Sequence, residues 1–456
     1  MTAIKKCRKN SSSRPYGGSR TAFFKGVIRM PTPLYTALVE HKKRGRASFH
    51  TPGHKNNPVA LPPDLLSLDF TELPDTDSLF EADGPIARAE ELAAELFGAK
   101  RTCISAGGCT LCIQAMFRLA APGGGKIVCS RVLHRSAVNT MALLDLTPVW
   151  AMPGEVLSAL AKTPDAKAVY VTSPNYYGQL LNIPAIAKAC RARDIPLLVD
   201  NAHGAHLMFT APKLHPLALG ASMTACSAHK TLNVLTGGAW LHIADDRYTA
   251  DAKEAMALFA STSPGYPVMA SLDLAREWLR LHRGEFGPLQ KKVSAIKAAA
   301  QNRGISLPEG LTDPTRITLN TASVGVPGTE AADLFRQAGV EPEFSDGAHV
   351  VFIATPFNTD RDFLRLKDAI ERLPVRAPLP QAPELPELPP VKTSLREAVF
   401  APSESVPLEQ AAGRIAAQAA CPCPPGVPVV MPGEKITKEI LRFLRGYGFL
   451  SIKVLK

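Results

Sequence analysis

Leu197-Leu198-Val199-Asp200-Asn201-Ala202-His203-Gly204-Ala205-His206, followed by Ser227-Ala228-His229-Lys230-Thr231-Leu232, is the stretch that decides the fold. Three apolar residues run straight into a carboxylate. This is the pattern of a buried parallel strand whose carboxyl end presents a ligand group. Lys230 follows in a segment rich in hydroxyl and imidazole groups. An apolar stretch (221–226) precedes it and Thr236-Gly237-Gly238-Ala239-Trp240-Leu241 follows, which suggests a buried strand and turn. Desolvation there would lower the amine's pKa and make it nucleophilic. A buried lysine downstream of a strand-end carboxylate suits pyridoxal phosphate. The lysine forms a Schiff base with the cofactor aldehyde. The carboxylate keeps the pyridine nitrogen protonated, so the ring can draw electrons from a substrate.

Outward from this stretch, apolar or β-branched runs at 127–129, 169–172 and 197–199 read as buried strands, with a helical run at 183–193 between two of them. Strand, helix, strand in that order predicts a doubly wound α/β sheet. A helix is expected over 85–97. Pro85 suits its first turn, Ile86, Ala89, Ala93, Leu96 and Phe97 share a face, and Gly98 stops it. Helices at 270–283 and 289–302 leave this large domain. Beyond Leu307 the pattern changes to strands at 315–319, 323–326 and 350–354 and helices at 331–337 and 360–372, a smaller α+β domain. Seven prolines between 374 and 390 mark an extended linker. The expected organisation is a basic leader (1–30), an arm (31–73) in which proline and glycine prevent a regular element, a large domain (74–305), a small domain (306–373), a linker (374–395) and a C-terminal domain (396–456) ending in an amphipathic helix at 435–445.

The formal charge of +11 falls to +3 when the eight basic residues of 1–30 are set aside, since that stretch has no acid. The body is nearly balanced, which gives no case for nucleic-acid binding. The leader is basic like a transit peptide but reads as a disordered tail, or as an extension ahead of a start at Met30. No apolar run is long enough to span a bilayer. Nine scattered cysteines suit buried thiols in a reducing cytoplasm. Cys421-Pro422-Cys423 has no second pair or nearby histidine to complete a zinc site, so no metal is expected.

Further motifs add to the central one. Gly107-Gly108-Cys109-Thr110 opens an apolar helix (111–119), where backbone N–H groups and the helix dipole favour a phosphate. His134 lies in Ser130-Arg131-Val132-Leu133-His134-Arg135-Ser136. Together with Ser227-x-His229-Lys230 and Asp200-x-Ala202-His203-Gly204-Ala205-His206, the chain resembles the ornithine/lysine/arginine decarboxylases of the aspartate-aminotransferase fold, pyridoxal phosphate fold type I. Phe49-His50-Thr51-Pro52-Gly53-His54-Lys55 and Ser261-Thr262-Ser263-Pro264-Gly265-Tyr266-Pro267 extend the likeness, which runs from about Pro31 to the C-terminus and is nearest the short bacterial type.

The resemblance implies that Lys230 is the Schiff-base lysine and Asp200 the partner of the pyridinium. It implies that His134 lies flat against the ring, that Ala202 lies beneath it and that His203 is near the phenolic oxygen and the substrate. Ser227 and His229 would join Gly108, Cys109 and Thr110 around the phosphate. The family usually has an Asn-Gly-Ser/Thr-Thr-like sequence at that last site; here Gly replaces Asn and Cys109 the first hydroxyl. The expected activity is decarboxylation of a basic L-amino acid, arginine before lysine or ornithine, to agmatine or a diamine in polyamine metabolism, by a cytoplasmic homodimer or higher homo-oligomer. The alternatives are an aminotransferase or another lyase of the same fold, or a catalytically dead regulatory homologue. A cationic substrate tail in a dry pocket needs a carboxylate. Asp75, Asp77, Glu343 and Asp346 are the candidates.

Overall fold

The computed structural model describes residues 44–49, 53, 55, 57, 70, 72, 76–380, 385–421 and 427–456. The chain divides into a unit of residues 1–45, of which only Arg44 and Gly45 are described, and a unit of residues 46–456 that holds everything below. The strands are β1 (Ala47–Phe49), β2 (Arg101–Ser105), β3 (Gly125–Ser130), β4 (Leu146–Ala151), β5 (Ala166–Thr172), β6 (Leu197–Asp200), β7 (Met223–Cys226), β8 (Ala239–Ile243), β9 (Arg316–Asn320), β10 (Val340–Pro342), β11 (Phe344–Ser345), β12 (His349–Ile353), β13 (Ser403–Pro407) and β14 (Ser451–Leu455).

Strands β2 to β8 form one sheet in the order β2-β8-β7-β6-β5-β3-β4. Strands β3 to β7 run parallel, and β8 is antiparallel to both its neighbours. The sheet is therefore mixed and covered on both faces, as expected. Strand periodicity decides which layer each side chain joins. Val169 and Val171 of β5 and Leu197 and Val199 of β6 enter one core. Ala168, Tyr170 and Leu198 enter the core on the opposite face. Each such fully buried Val or Leu contributes about 1.5–3 kcal/mol.

The helix Pro85–Phe97 begins on a proline and ends at Gly98, whose φ of 68° is the left-handed stop. Its N–H groups are capped from a distance. The Asp77 carboxylate accepts from Gly84 N at 3.0 Å and Ile86 N at 2.9 Å. Inside the fold Glu90 of this helix pairs with Lys253 at 2.6 Å and accepts from Ile104 N at 2.8 Å.

Strands β11, β12 and β9 form a small antiparallel sheet. The helices Phe286–Asn302, Gly328–Gln337 and Asp360–Glu371 cover it through Val293, Phe335, Leu366 and Ile370. The 323–326 strand is not formed. A 3-10 turn, Thr321–Val324, stands there because Ser323 Oγ donates to main-chain carbonyls and Gly325 takes a φ of 75°. The arm also departs from expectation: β1 pairs in parallel with β10, before the proline and glycine are reached. In the C-terminal part β13 and β14 pair antiparallel over the helix Lys438–Gly446, and Val406, Ile440, Leu444 and Val454 form its core. That helix starts three residues later than expected because Thr437 caps it.

Candidate active site

Asp200 ends β6, level with Thr172 of β5 and Ala225 of β7. Its carboxylate is held on both oxygens. Tyr170 Oη donates to Oδ2 at 3.2 Å and Ala202 N to Oδ1 at 3.1 Å. Burial, with the charge of Asp200, pushes the Tyr170 hydroxyl well up, so it stays a donor. In front of Asp200 is a cavity of about 500 Å3.

Lys230 reaches this cavity from the four-residue turn Ala228–Thr231. Its Nζ lies 2.9 Å from His203 Nε2. Burial lowers the amine's pKa, opposed by Asp200 and Glu343. Burial and then the charges of Lys230 and Arg316 push His203 well below the usual imidazole value. His134 caps the helix Arg135–Leu143. Its Nδ1 accepts from Ser136 N at 3.2 Å, so a neutral ring carries its proton on Nε2. Burial lowers His134 as well.

The helix Gly108–Ala120 points its N-terminus at the same cavity. Gly107 N donates to Ser105 Oγ and Gly108 N to Gly237 O. The first-turn N–H groups of Cys109 and Thr110 have no acceptor inside the helix. Gly108 needs its freedom, with a φ of 69°. Burial pushes the Cys109 thiol well up, so it does not add an anion to the cradle. His229 Nδ1 donates to Gly238 O at 3.2 Å. Gly53 closes the far side of the lysine turn. Its N–H donates to His229 O, and a Cβ on Gly53 would stand 2.2 Å from Leu232 O.

The proposed residues Gly108, Cys109, Thr110, His134, Asp200, Ala202, His203, Ser227, His229 and Lys230 thus all line one cavity. They fit pyridoxal phosphate by donor chemistry: a buried amine, a fixed carboxylate, and a helix N-terminus for the phosphate. Two polar atoms of the lining, His203 Nδ1 and Thr172 Oγ1, are buried without a hydrogen-bond partner among the described residues, as expected of a wall built for a polar occupant.

The described carboxylates expected to meet the substrate's cationic end, Asp77, Glu343 and Asp346, each hold a different part of the chain. Asp75 lies outside the described residues. Asp77 is spent on the helix start. Asp346 accepts from Tyr177 Oη at 2.7 Å and from Ala348 N and His349 N. Burial would raise it, but bonds from the His349 ring, Tyr177 and Ala348 N win and hold it at about 2. Glu343 accepts from Tyr176 Oη, and Tyr176 lines the cavity edge-on to His203, with ring centroids 4.6 Å apart.

Sequence reasoning missed Tyr176 and Arg316. Arg316 opens β9, is buried, and donates to Tyr176 O at 3.0 Å and His203 O at 3.4 Å. Neither belongs to a local motif; the small sheet brings Arg316 in.

Behind the sheet His215, Cys226 and His242 also cluster, fully buried. His215 Nδ1 accepts from Leu217 N, so its neutral ring carries the proton on Nε2, which lies 3.4 Å from Cys226 Sγ. A metal would need a lone pair at that nitrogen, so the trio reads as hydrogen-bonded core.

Similar sequences and folds are found among known proteins. The family described as Orn/Lys/Arg decarboxylase, major domain, matches residues 32–304, and its C-terminal domain matches 383–448. An arginine decarboxylase of Halalkalibacterium halodurans is 31% identical over 461 residues, covering 91% of this chain and 93% of that protein. One from Bacillus subtilis is 30% identical over 460 residues, with 91% and 93% covered. The structure of the constitutive lysine decarboxylase of E. coli superposes with a TM-score of 0.71 at 21% identity, covering 93% of this chain and 82% of that one.

Proposed function

The chain belongs to the Orn/Lys/Arg decarboxylase family, and we propose that it uses pyridoxal phosphate to remove the α-carboxylate of a basic L-amino acid as CO2, with arginine favoured over lysine and ornithine. When bound, the cofactor supplies an electron sink for the pair left on Cα. Lys230 is the residue that would anchor it. The helix start at Cys109 and Thr110, with Ser227 and His229, would hold its phosphate. Asp200, oriented by Tyr170 and Ala202 N, would keep the cofactor's ring nitrogen protonated, so that the ring can accept that pair. His134 Nε2 and Lys230 Nζ are the proton donors available to Cα after CO2 leaves. His203 supports the Lys230 amine.

The observation that carries this reading is the Lys230–His203 contact inside the cavity that Asp200 floors. All the reactive groups share that cavity, which speaks against a catalytically dead homologue. Arg316 gives two of its nitrogens to main-chain carbonyls, which speaks against an arginine reserved for an in-plane substrate carboxylate, as in an aminotransferase. The same proposal includes a cytoplasmic homodimer serving polyamine supply. Its support is the family, together with seven described cysteines that are all free thiols. Among the described residues no helix is long and apolar enough to cross a membrane.

The test is to incubate protein and pyridoxal phosphate with arginine, lysine and ornithine separately and to identify the amines. Agmatine released fastest supports the proposal. A keto acid in place of an amine, or turnover only of neutral or acidic amino acids, rejects it.

A further inference from the structure

A cationic substrate tail needs a carboxylate, yet the described candidates already serve the protein: Asp77 caps a helix, Asp346 holds Tyr177 and a turn, and Glu343 holds Tyr176. Beside the main cavity is a second compartment of about 210 Å3. The two share the walls Val132, Thr172 and Asn175. Two hydroxyl oxygens lining the compartment, Ser130 Oγ and, on the shared wall, Thr172 Oγ1, are buried without a hydrogen-bond partner among the described residues. They come from the carboxyl ends of β3 and β5, where open sheets of this kind place ligand groups. At the rim stands Glu309, exposed, with no hydrogen bond or ion pair among the described residues.

The geometry points to this compartment as the subsite for the cationic end of the substrate, with Glu309 as the counter-charge and Ser130 and Thr172 as hydrogen-bond acceptors. The inference rests on the decarboxylase reading above. It also bears on the order of preference. A guanidinium carries five N–H donors in a planar fork, whereas an ammonium carries three on one nitrogen. Two hydroxyls and a carboxylate on different walls suit the fork, so arginine gains more from the compartment than lysine or ornithine does. Leu180, Leu181 and Leu311 supply apolar walls for the methylene stem.

Glu309→Gln is the direct test, because an exposed side chain without partners can be changed with little risk to folding. KM for arginine should rise about two- to fivefold, as befits loss of an exposed charge partner, while kcat at saturation stays near wild type. KM for citrulline, the uncharged isostere, should not change. Agmatine binding to the holoenzyme by titration calorimetry should weaken by a similar factor, a readout that needs no turnover. Unchanged arginine KM and agmatine affinity in Glu309→Gln would overturn the subsite while leaving the decarboxylase reading intact. Absence of amine from any basic amino acid with the wild-type protein would overturn both.

Discussion

Lys230 Nζ lies 2.9 Å from His203 Nε2, and burial pushes both groups towards their neutral forms. Burial, and for His203 also the charge of Lys230, thus disfavours a doubly charged pair. A lysine so placed keeps a larger unprotonated fraction near neutral pH than a surface lysine, and the unprotonated amine is the form that attacks an aldehyde.

Borohydride reduction of the protein with pyridoxal phosphate should accordingly tag the peptide containing Lys230. Because its pKa is lowered, tagging there should persist to lower pH than at exposed lysines. Peptide mass spectrometry across a pH series checks both points. A tag confined to another lysine would refute the assignment.

Asp200→Asn keeps the side-chain shape and removes its charge. Turnover should fall by about 10²-fold or more, in a protein whose circular dichroism is unchanged. Near-normal turnover would remove Asp200 from its electrostatic role.

Asp77 and Glu343 should separate by readout. Asp77→Ala should destabilise the fold by about 1 kcal/mol or more, as loss of a helix cap does, with KM unaltered. Burial opposes ionisation of Asp77, but backbone N–H donors outweigh it and hold its pKa below the usual value. The Asp77 contribution is therefore present above the unfolded carboxylate pKa and lost as pH falls through the folded one. Urea denaturation of wild type and variant at pH 7 and pH 3 should show a smaller difference at the lower pH. Glu343→Gln, acting through Tyr176, should move kinetic constants before it moves stability.

Arg131 and Glu434 make a fully buried bidentate pair at 2.6 and 2.7 Å, and Pro428 O and Met431 N complete it. Glu434→Ala strands the guanidinium and should cost about 3–5 kcal/mol, measured by denaturant unfolding. The double change Arg131→Met with Glu434→Leu should recover much of that loss. If the single and double variants are equally unstable, the buried charge is not the cause.

Strands β3, β5 and β6 were legible because both their faces are buried, which leaves unbroken apolar runs. Strand β4 was not. It lies at the sheet edge and carries Pro148, which such a position tolerates and a central strand would not. Strands β1, β10 and β11 have two or three residues each, too few for any period to show. On the site, Asp200, His203 and Lys230 stood out because they lie close in sequence within unusual local chemistry. Tyr176, Arg316 and Glu309 have no such signature. They lie 27 residues before and 113 and 106 residues after His203, and only the completed fold places them beside the cavity.

Gly53 leans on the carbonyl of Leu232, four residues beyond the strand that ties the arm to β10. Gly53 is tied to the lysine turn at His229 O and packs against Leu232, while β1 is tied to β10. A side chain at position 53 would collide with main-chain atoms of Thr231 and Leu232, so the absence of one there is a condition for where the Lys230 amine stands.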